Sequence, residues 1–177
     1  MTNNKFFRNA GWCALVSALL MLAAFISFPL GAGMIGGVLE ILGLLVFIFV
    51  FYALFVTHRA DSAGLSLAGL IFAVAAIAID IFVMINNGPS FLYNLWYLLL
   101  SLPFLVFGYL ALRGTRLPRG LAALSLLAGV IFLISGISGF LVSADLADSI
   151  SLFAILAMFV WQFWLWRVFW SKGFAAA

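Results

Sequence analysis

Long apolar stretches alternate along the chain with short segments rich in glycine, proline, asparagine and charged residues. An α-helix needs about 20 residues to cross a hydrocarbon core about 30 Å thick, and six of the apolar stretches reach that length. The pattern therefore predicts an all-α polytopic membrane protein, a single six-helix transmembrane bundle with no separate soluble domain. The predicted spans are residues 11–30, 34–57, 65–86, 91–112, 119–142 and 149–170.

The composition supports this class and narrows the chemistry. Hydrophobic residues make up 68% of the sequence and charged residues only 7%, which is far from the composition of a soluble domain. Cys13 is the only cysteine, so neither an internal disulfide nor a thiolate metal site can form within one chain. The three alanines at positions 175–177 resemble a cloning scar. No catalytic triad or phosphate-binding loop is recognisable, and we expect no cofactor, no metal and no enzymatic activity.

All the lysine and arginine residues fall at the same set of predicted helix ends. The opposite loops carry only the charges of Asp145 and Asp148. Because basic loops face the cytoplasm, both termini are predicted to be cytoplasmic. Short basic loops also contact anionic headgroups, so the lipid bilayer and not nucleic acid is the predicted partner. The basic residues are Lys5, Arg8, Arg59, Arg113, Arg116, Arg119, Arg167 and Lys172.

Two acidic residues, Glu40 and Asp80, fall inside the second and third predicted spans. An acid at the centre of a membrane helix costs about 3 kcal/mol on insertion scales, so both require an explanation. Each lies about six residues, or about 9 Å, below the outer end of its span, and Asn94 of the fourth span has a similar depth. We expect the three to share one interior layer. Small-residue stripes support this, with Gly33, Gly36 and Gly43 beside Glu40 and Gly69, Ala73 and Ala76 beside Asp80.

Two interpretations of this carboxyl layer remain open. Burial and a neighbouring like charge both favour a protonated carboxyl, so the pair is expected to share one proton. In the first interpretation the layer is a proton- or cation-binding site that opens to the outer face and is coupled to a small solute. In the second, protonated Glu40 and Asp80 only hydrogen-bond neighbouring helices.

The inner half of the last predicted span is rich in aromatic residues, and Gln162 lies there between Trp161 and Trp164. Tryptophan is enriched at the headgroup level, so the first interpretation is a membrane anchor. The alternative is a flat surface for a quinone, a pigment or a sterol-like lipid, with Gln162 as its hydrogen-bonding partner. His58 is the only histidine and is expected to be solvated in a cytoplasmic turn.

Three segments resemble bacterial six-helix integral membrane proteins of unknown function. They are Phe51-Tyr-Ala-Leu, Ala63-Gly-Leu-Ser-Leu-Ala-Gly-Leu and Leu117-Pro-Arg-Gly-Leu-Ala-Ala-Leu-Ser-Leu-Leu-Ala-Gly-Val. The Leu-Pro-Arg turn that opens the fifth span is the most recognisable of them. The resemblance covers helices two to five and implies the cytoplasmic (inner) membrane of a prokaryote, but it supplies neither an activity nor site residues.

These features predict a non-catalytic structural or complex-forming membrane component, whose protein partner is a second copy of the chain or a larger membrane complex. The alternative is a small proton- or cation-coupled transporter or channel that uses Glu40, Asp80 and Asn94. That function requires a water-accessible path to the carboxyl layer. An enzyme would need a base, a nucleophile or metal ligands in one pocket, and two carboxyls are too few.

Overall fold

The computed structural model describes residues 3–86 and 88–171, and this part of the chain consists of six α-helices with no β-strand. All six helices are long and apolar enough to cross a membrane, which confirms the prediction of an all-α protein with six potential spans. The predictions for Lys172 and for positions 175–177 lie outside the described residues. The helices are α1 (Asn3–Ser27), α2 (Gly33–His58), α3 (Ala63–Asn86), α4 (Ser90–Arg113), α5 (Arg119–Leu141) and α6 (Ala144–Ser171).

Helix α1 is closed by the backbone of the turn that follows it. The Gly31 amide donates to the Phe28 carbonyl at 3.1 Å, and the Ala32 amide donates to the Ser27 carbonyl at 3.1 Å. This pair of bonds is a Schellman motif, which needs a left-handed residue, and Gly31 has a φ of +77°. Glycine adopts this conformation without a Cβ clash, so the chain turns toward α2 within a few residues.

The apolar pattern predicted that the sixth span begins at residue 149, but helix α6 already starts at Ala144. Ser143 caps it, because its Oγ accepts a hydrogen bond of 3.2 Å from the amide three residues later. An acid in the first turn also interacts favourably with the positive end of the helix dipole. Capping extends a helix beyond the part that fits the hydrocarbon, so Asp145 and Asp148 belong to α6 and not to a loop.

The chain divides into two compact units. The first comprises Met1–Ala53 and Phe159–Ala177, and its described part contains α1, most of α2 and the second half of α6. The second unit, Leu54–Met158, contains the end of α2, the helices α3, α4 and α5, and the first half of α6. Two of the six helices therefore contribute residues to both units.

In the first unit, α1 presents small residues to its neighbours. Ala10, Ala14 and Ala18 recur every fourth residue and are buried almost completely. A Cβ on the adjacent Gly11 would lie 3.2 Å from the carbonyl oxygen of Trp166, which is tighter than an ordinary side-chain contact. The backbones of α1 and α6 therefore approach closely because Gly11 has no side chain.

In the same unit, α1 and α2 are joined by a buried hydrogen bond, and their backbones approach closely at Gly43. The hydroxyl of Ser17 donates to the Gly43 carbonyl at 2.9 Å. A Cβ on Gly43 would lie 2.7 Å from Cγ of Met21, so a larger residue there would displace the methionine. The hydrogen bond is possible because the glycine lets the two backbones approach.

In the second unit, α4 packs against both α3 and α5. Two glycines of α5 that lie two helical turns apart mark the second contact. A Cβ on Gly129 would lie 2.8 Å from Cγ of Leu105, and one on Gly136 would lie 2.6 Å from Cγ of Leu98. Leucines of α4 therefore occupy the space that a side chain on these glycines would need.

The Gly136→Ala variant is expected to unfold at a lower temperature than the wild type. Its new methyl group would lie 2.6 Å from Leu98 and 3.0 Å from the Asn94 carbonyl oxygen, so the two backbones would have to separate. Such overpacking costs about 1–3 kcal/mol, whereas the gain in helix propensity is about 1 kcal/mol at most. Thermal unfolding in detergent micelles measures the difference. Gly64→Ala in α3 is the control, because nothing lies within 4 Å of its Cβ position. If Gly136→Ala unfolded at the same temperature as the wild type, the close contact between α4 and α5 at Gly136 would be contradicted.

Candidate functional site

Asp80 lies on the buried face of α3, and only 4% of its surface is exposed. Residues that recur three or four positions apart share one face of a helix, so the buried residues of α3 form a single stripe that includes Asp80. The other members of this stripe are Ser66, Gly69, Ala73, Ala76, Ile77 and Val83. Asp80 is therefore a buried residue, and it belongs to the second unit.

The hydroxyl of Tyr97 links α4 to the start of α6. It donates a hydrogen bond of 3.0 Å to Oδ1 of Asp148, and it also hydrogen-bonds the Ser151 side chain. Asp80 interacts electrostatically with the same hydroxyl. Tyr97 is buried and Asp148 is exposed. A hydrogen bond thus joins the exposed start of α6 to the buried face of α4.

Asn94 shares the buried face of α4 with Tyr97, one helical turn away. Its side chain packs directly on Gly139 of α5, where a Cβ would overlap the amide group. Asp80, Asn94 and Tyr97 therefore all belong to the second unit and are all buried. The close packing on α5 fixes the position of the Asn94 amide.

Glu40 belongs to the first unit, so it is described apart from Asp80 and Asn94. It is half-buried on α2 between Gly36 and Gly43, the two glycines that pack against α1 and the turn after it. The pairing of Glu40 with Asp80 in one carboxyl layer stays a prediction.

The three candidates on α6 differ in their burial. Trp161 and Gln162 are 2% and 0% exposed, whereas Trp164 is 39% exposed. In the first unit the Trp161 ring stacks on Phe51 at 6.5 Å between centroids and meets Phe47 edge-on at 6.4 Å. Because successive helical residues are rotated by about 100°, Trp164 points away from the face that carries Gln162. Trp164 is exposed at the surface, and the other two residues belong to the core.

The prediction that His58 is solvated is wrong. The histidine is the last residue of α2, and none of its surface is exposed. Its Nδ1 lies 3.2 Å from Oδ2 of Asp61, and its ring centroid lies 6.3 Å from that of Phe107 on α4. Burying an imidazole ring costs less free energy when one of its nitrogens donates a hydrogen bond to a carboxylate, and Asp61 provides that acceptor.

Arg116 joins the loop after α2 to the loop after α4. Its Nη1 donates to the carbonyl oxygen of Thr57, and its Nη2 lies 3.7 Å from Oδ1 of Asp61. The guanidinium therefore contacts both the last turn of α2 and the acid that pairs with His58. We call the four residues His58, Asp61, Thr57 and Arg116 the loop cluster.

Two features of this region had no counterpart in the predictions, namely the Tyr97–Asp148 hydrogen bond and the loop cluster. The hydrogen bonds from Tyr97 to Asp148 and from Arg116 to Thr57 join residues that are 50 or more positions apart, so no local spacing reveals them. Tyr97 does recur with Asn94 at helical spacing, which is a signal that this face of α4 is polar. Nothing local indicates that Asp148 is its partner.

Among the described residues, no group of three His, Cys, Asp or Glu side chains is arranged to hold a metal ion. Comparison with protein-family models, with curated proteins and with solved structures finds no match for this chain. The function is therefore inferred from the positions and chemistry of its own residues.

Replacement of Arg116 by alanine is expected to lower the stability of the protein by about 1–2 kcal/mol. The change removes a charged hydrogen bond to Thr57 and leaves a buried carbonyl oxygen without that donor. The exposed ion pair with Asp61 adds little, because both side chains are 31% exposed and solvent screens them. Arg119→Ala removes the same charge from an exposed position nearby and should change the stability by less than about 0.5 kcal/mol. Thermal unfolding of both variants tests this, and equal losses would argue against the loop cluster.

Proposed function

We propose that the protein is a multi-pass integral membrane protein with a non-catalytic, structural or complex-forming role. The observation that carries this proposal is that every helix exposes large apolar side chains. In water such a surface would aggregate, whereas in a bilayer it is the surface that contacts lipid. One such residue from each helix in turn is Leu19, Phe49, Phe82, Phe91, Ile134 and Phe153.

The charge distribution supports an orientation with both termini in the cytoplasm. Arg59, Arg113 and Arg119 are exposed at the ends of α2 and α4 and at the start of α5, where they are free to meet anionic headgroups. The resemblance of helices two to five to bacterial six-helix membrane proteins favours the cytoplasmic membrane of a prokaryote as the location.

Glu40 favours a protein partner. Its side chain is only half-buried on α2, in a span where contact with lipid is costly for a carboxyl. A second copy of the chain, or another membrane protein, that covers this part of α2 would lower the cost. We therefore propose that α2 forms part of an oligomeric or complex-forming surface.

The orientation predicts which introduced cysteines react from outside the cell. In a Cys13→Ser background, Ser143→Cys should react with a membrane-impermeant maleimide in intact cells, because Ser143 is exposed in the turn before α6. Thr115→Cys is equally exposed, in the basic turn after α4, and should react only after the membrane is permeabilised. The opposite labelling pattern would reverse the orientation.

Proton or cation transport is the second candidate function, and the polar groups of the second unit favour it. Asp80 is buried, interacts electrostatically with the Tyr97 hydroxyl, and Tyr97 in turn hydrogen-bonds the exposed Asp148. Intramembrane acids that face protein and connect with hydroxyl groups are typical of proton pathways. The route would begin at Asp148 and reach Asp80 through Tyr97, on the outer side in the proposed orientation.

If this candidate is correct, Asp80→Asn should abolish proton flux into proteoliposomes under an imposed membrane potential, because an amide does not carry a proton. A reduction of at least about tenfold is expected, and a pH-sensitive dye inside the vesicles measures it. Asp145→Asn removes an exposed acid from the same end of α6 and should leave the flux unchanged. Wild-type flux equal to that of empty vesicles would eliminate transport of protons, and the structural role would remain.

A further inference from the structure

Gln162 is an exception to the way polar groups are buried in the first unit. None of its surface is exposed, and neither its amide nitrogen nor its amide oxygen has a hydrogen-bond partner among the described residues. The buried hydroxyl of Ser17 in the same unit donates to the Gly43 carbonyl at 2.9 Å. A buried amide without partners costs more free energy than a hydroxyl that is satisfied. Gln162 is therefore a buried group that calls for a hydrogen-bonding partner from outside the described residues.

A second polar atom with the same property lies on the same face of α6. The indole nitrogen Nε1 of Trp166 is buried and has no acceptor among the described residues. Residues four apart on a helix are neighbours on one face, about 6 Å apart along the axis, so Gln162 and Trp166 point in similar directions. Together they offer two donor nitrogens, the Gln162 Nε2 and the Trp166 Nε1, and one acceptor, the Gln162 Oε1.

Aromatic side chains are frequent near these two residues in the first unit. Trp161, which precedes Gln162 in the sequence, stacks on Phe51. The Trp166 ring lies 6.2 Å from that of Trp12, which is 45% exposed at the surface of α1. The Trp166 end of this region therefore reaches the molecular surface, and the Gln162 end is closed.

We propose that Gln162 and Trp166 form the polar end of a binding site for a neutral, lipid-soluble aromatic carbonyl compound of the quinone type. A carbonyl oxygen can accept hydrogen bonds from the Gln162 Nε2 and the Trp166 Nε1, which gives a partner to each donor nitrogen but not to the Gln162 Oε1. A flat ring packs against indole and phenyl faces. A charged group such as a phosphate is a poor fit, because burying a charge without a counter-ion costs far more than burying a carbonyl. Trp164 is exposed on another face and is not part of this site.

The test uses duroquinone (tetramethylbenzoquinone) as the probe and durene (tetramethylbenzene), which has the same methylated ring without carbonyls, as the matched control. Both are added to the full-length protein in lipid nanodiscs, and the unfolding temperature is measured over a series of probe concentrations. A ligand that binds only the folded state raises this temperature in a saturable way. We expect such a rise with duroquinone and not with durene.

Two variants locate the binding. Gln162→Met keeps the length of the side chain and removes the amide, and Trp166→Phe keeps an aromatic ring and removes the N–H group. Each should weaken duroquinone binding about tenfold or more, equivalent to about 1.4 kcal/mol. Without the probe, Gln162→Met should unfold about 2–4 °C above the wild type, because an amide without partners has been replaced by an apolar group.

Ser17→Ala is the control variant for these measurements. It removes a buried polar group whose hydrogen bond is satisfied, so it should lower the unfolding temperature and leave the affinity for duroquinone unchanged. The proposal is overturned if duroquinone causes no saturable rise in the wild type, or if durene causes an equal one. It is also overturned if the Gln162→Met and Trp166→Phe variants bind duroquinone as tightly as the wild type. A saturable rise that only these two variants lose would support it.

Discussion

Close approach of helix backbones at residues without large side chains is the constraint on which the remaining structure depends. In the proposed membrane environment, helices would gain little from burying apolar side chains against each other, because lipid is equally apolar. Dispersion contacts at short distances between backbones would then carry more of the stability. Gly11 and Gly43 allow this in the first unit, and Gly129 and Gly136 allow it in the second.

The polar groups inside both units are positioned by these contacts. The Ser17 hydroxyl reaches a carbonyl of α2 at Gly43, and the Ser125 hydroxyl of α5 reaches the Phe104 carbonyl of α4 at 2.8 Å. Other serines bond carbonyls of their own helix, as Ser135 does with Ile131 at 2.9 Å. Such bonds satisfy polar groups that have no water partner in a hydrocarbon environment. They explain how a chain with so many apolar residues also buries hydroxyls.

Larger polar groups make different demands on their surroundings. The Tyr97 hydroxyl reaches an acid at the exposed end of α6, and the His58 ring is buried against Asp61. Gln162 makes no such bond within the described residues. Because each partner, or its absence, changes the free energy of unfolding by about 1–3 kcal/mol, these residues separate structural from functional explanations. A group whose hydrogen bond is satisfied contributes to stability, whereas a buried group without a partner is the observation on which the proposed binding site rests.

The sequence by itself determined the number of helices, since six apolar runs have the length of a membrane span and a helix satisfies its own backbone hydrogen bonds. It also predicted that small residues line one face of α3, because the 3.6-residue period is local. Only the tertiary structure decided the surroundings of His58, Tyr97 and Gln162. The Tyr97 hydroxyl bonds Asp148, which lies 51 positions away, and the ring that packs on His58 belongs to Phe107 of α4. Hydropathy records what a side chain prefers and not which groups face it, so the pairing of buried polar atoms had to come from the packed helices.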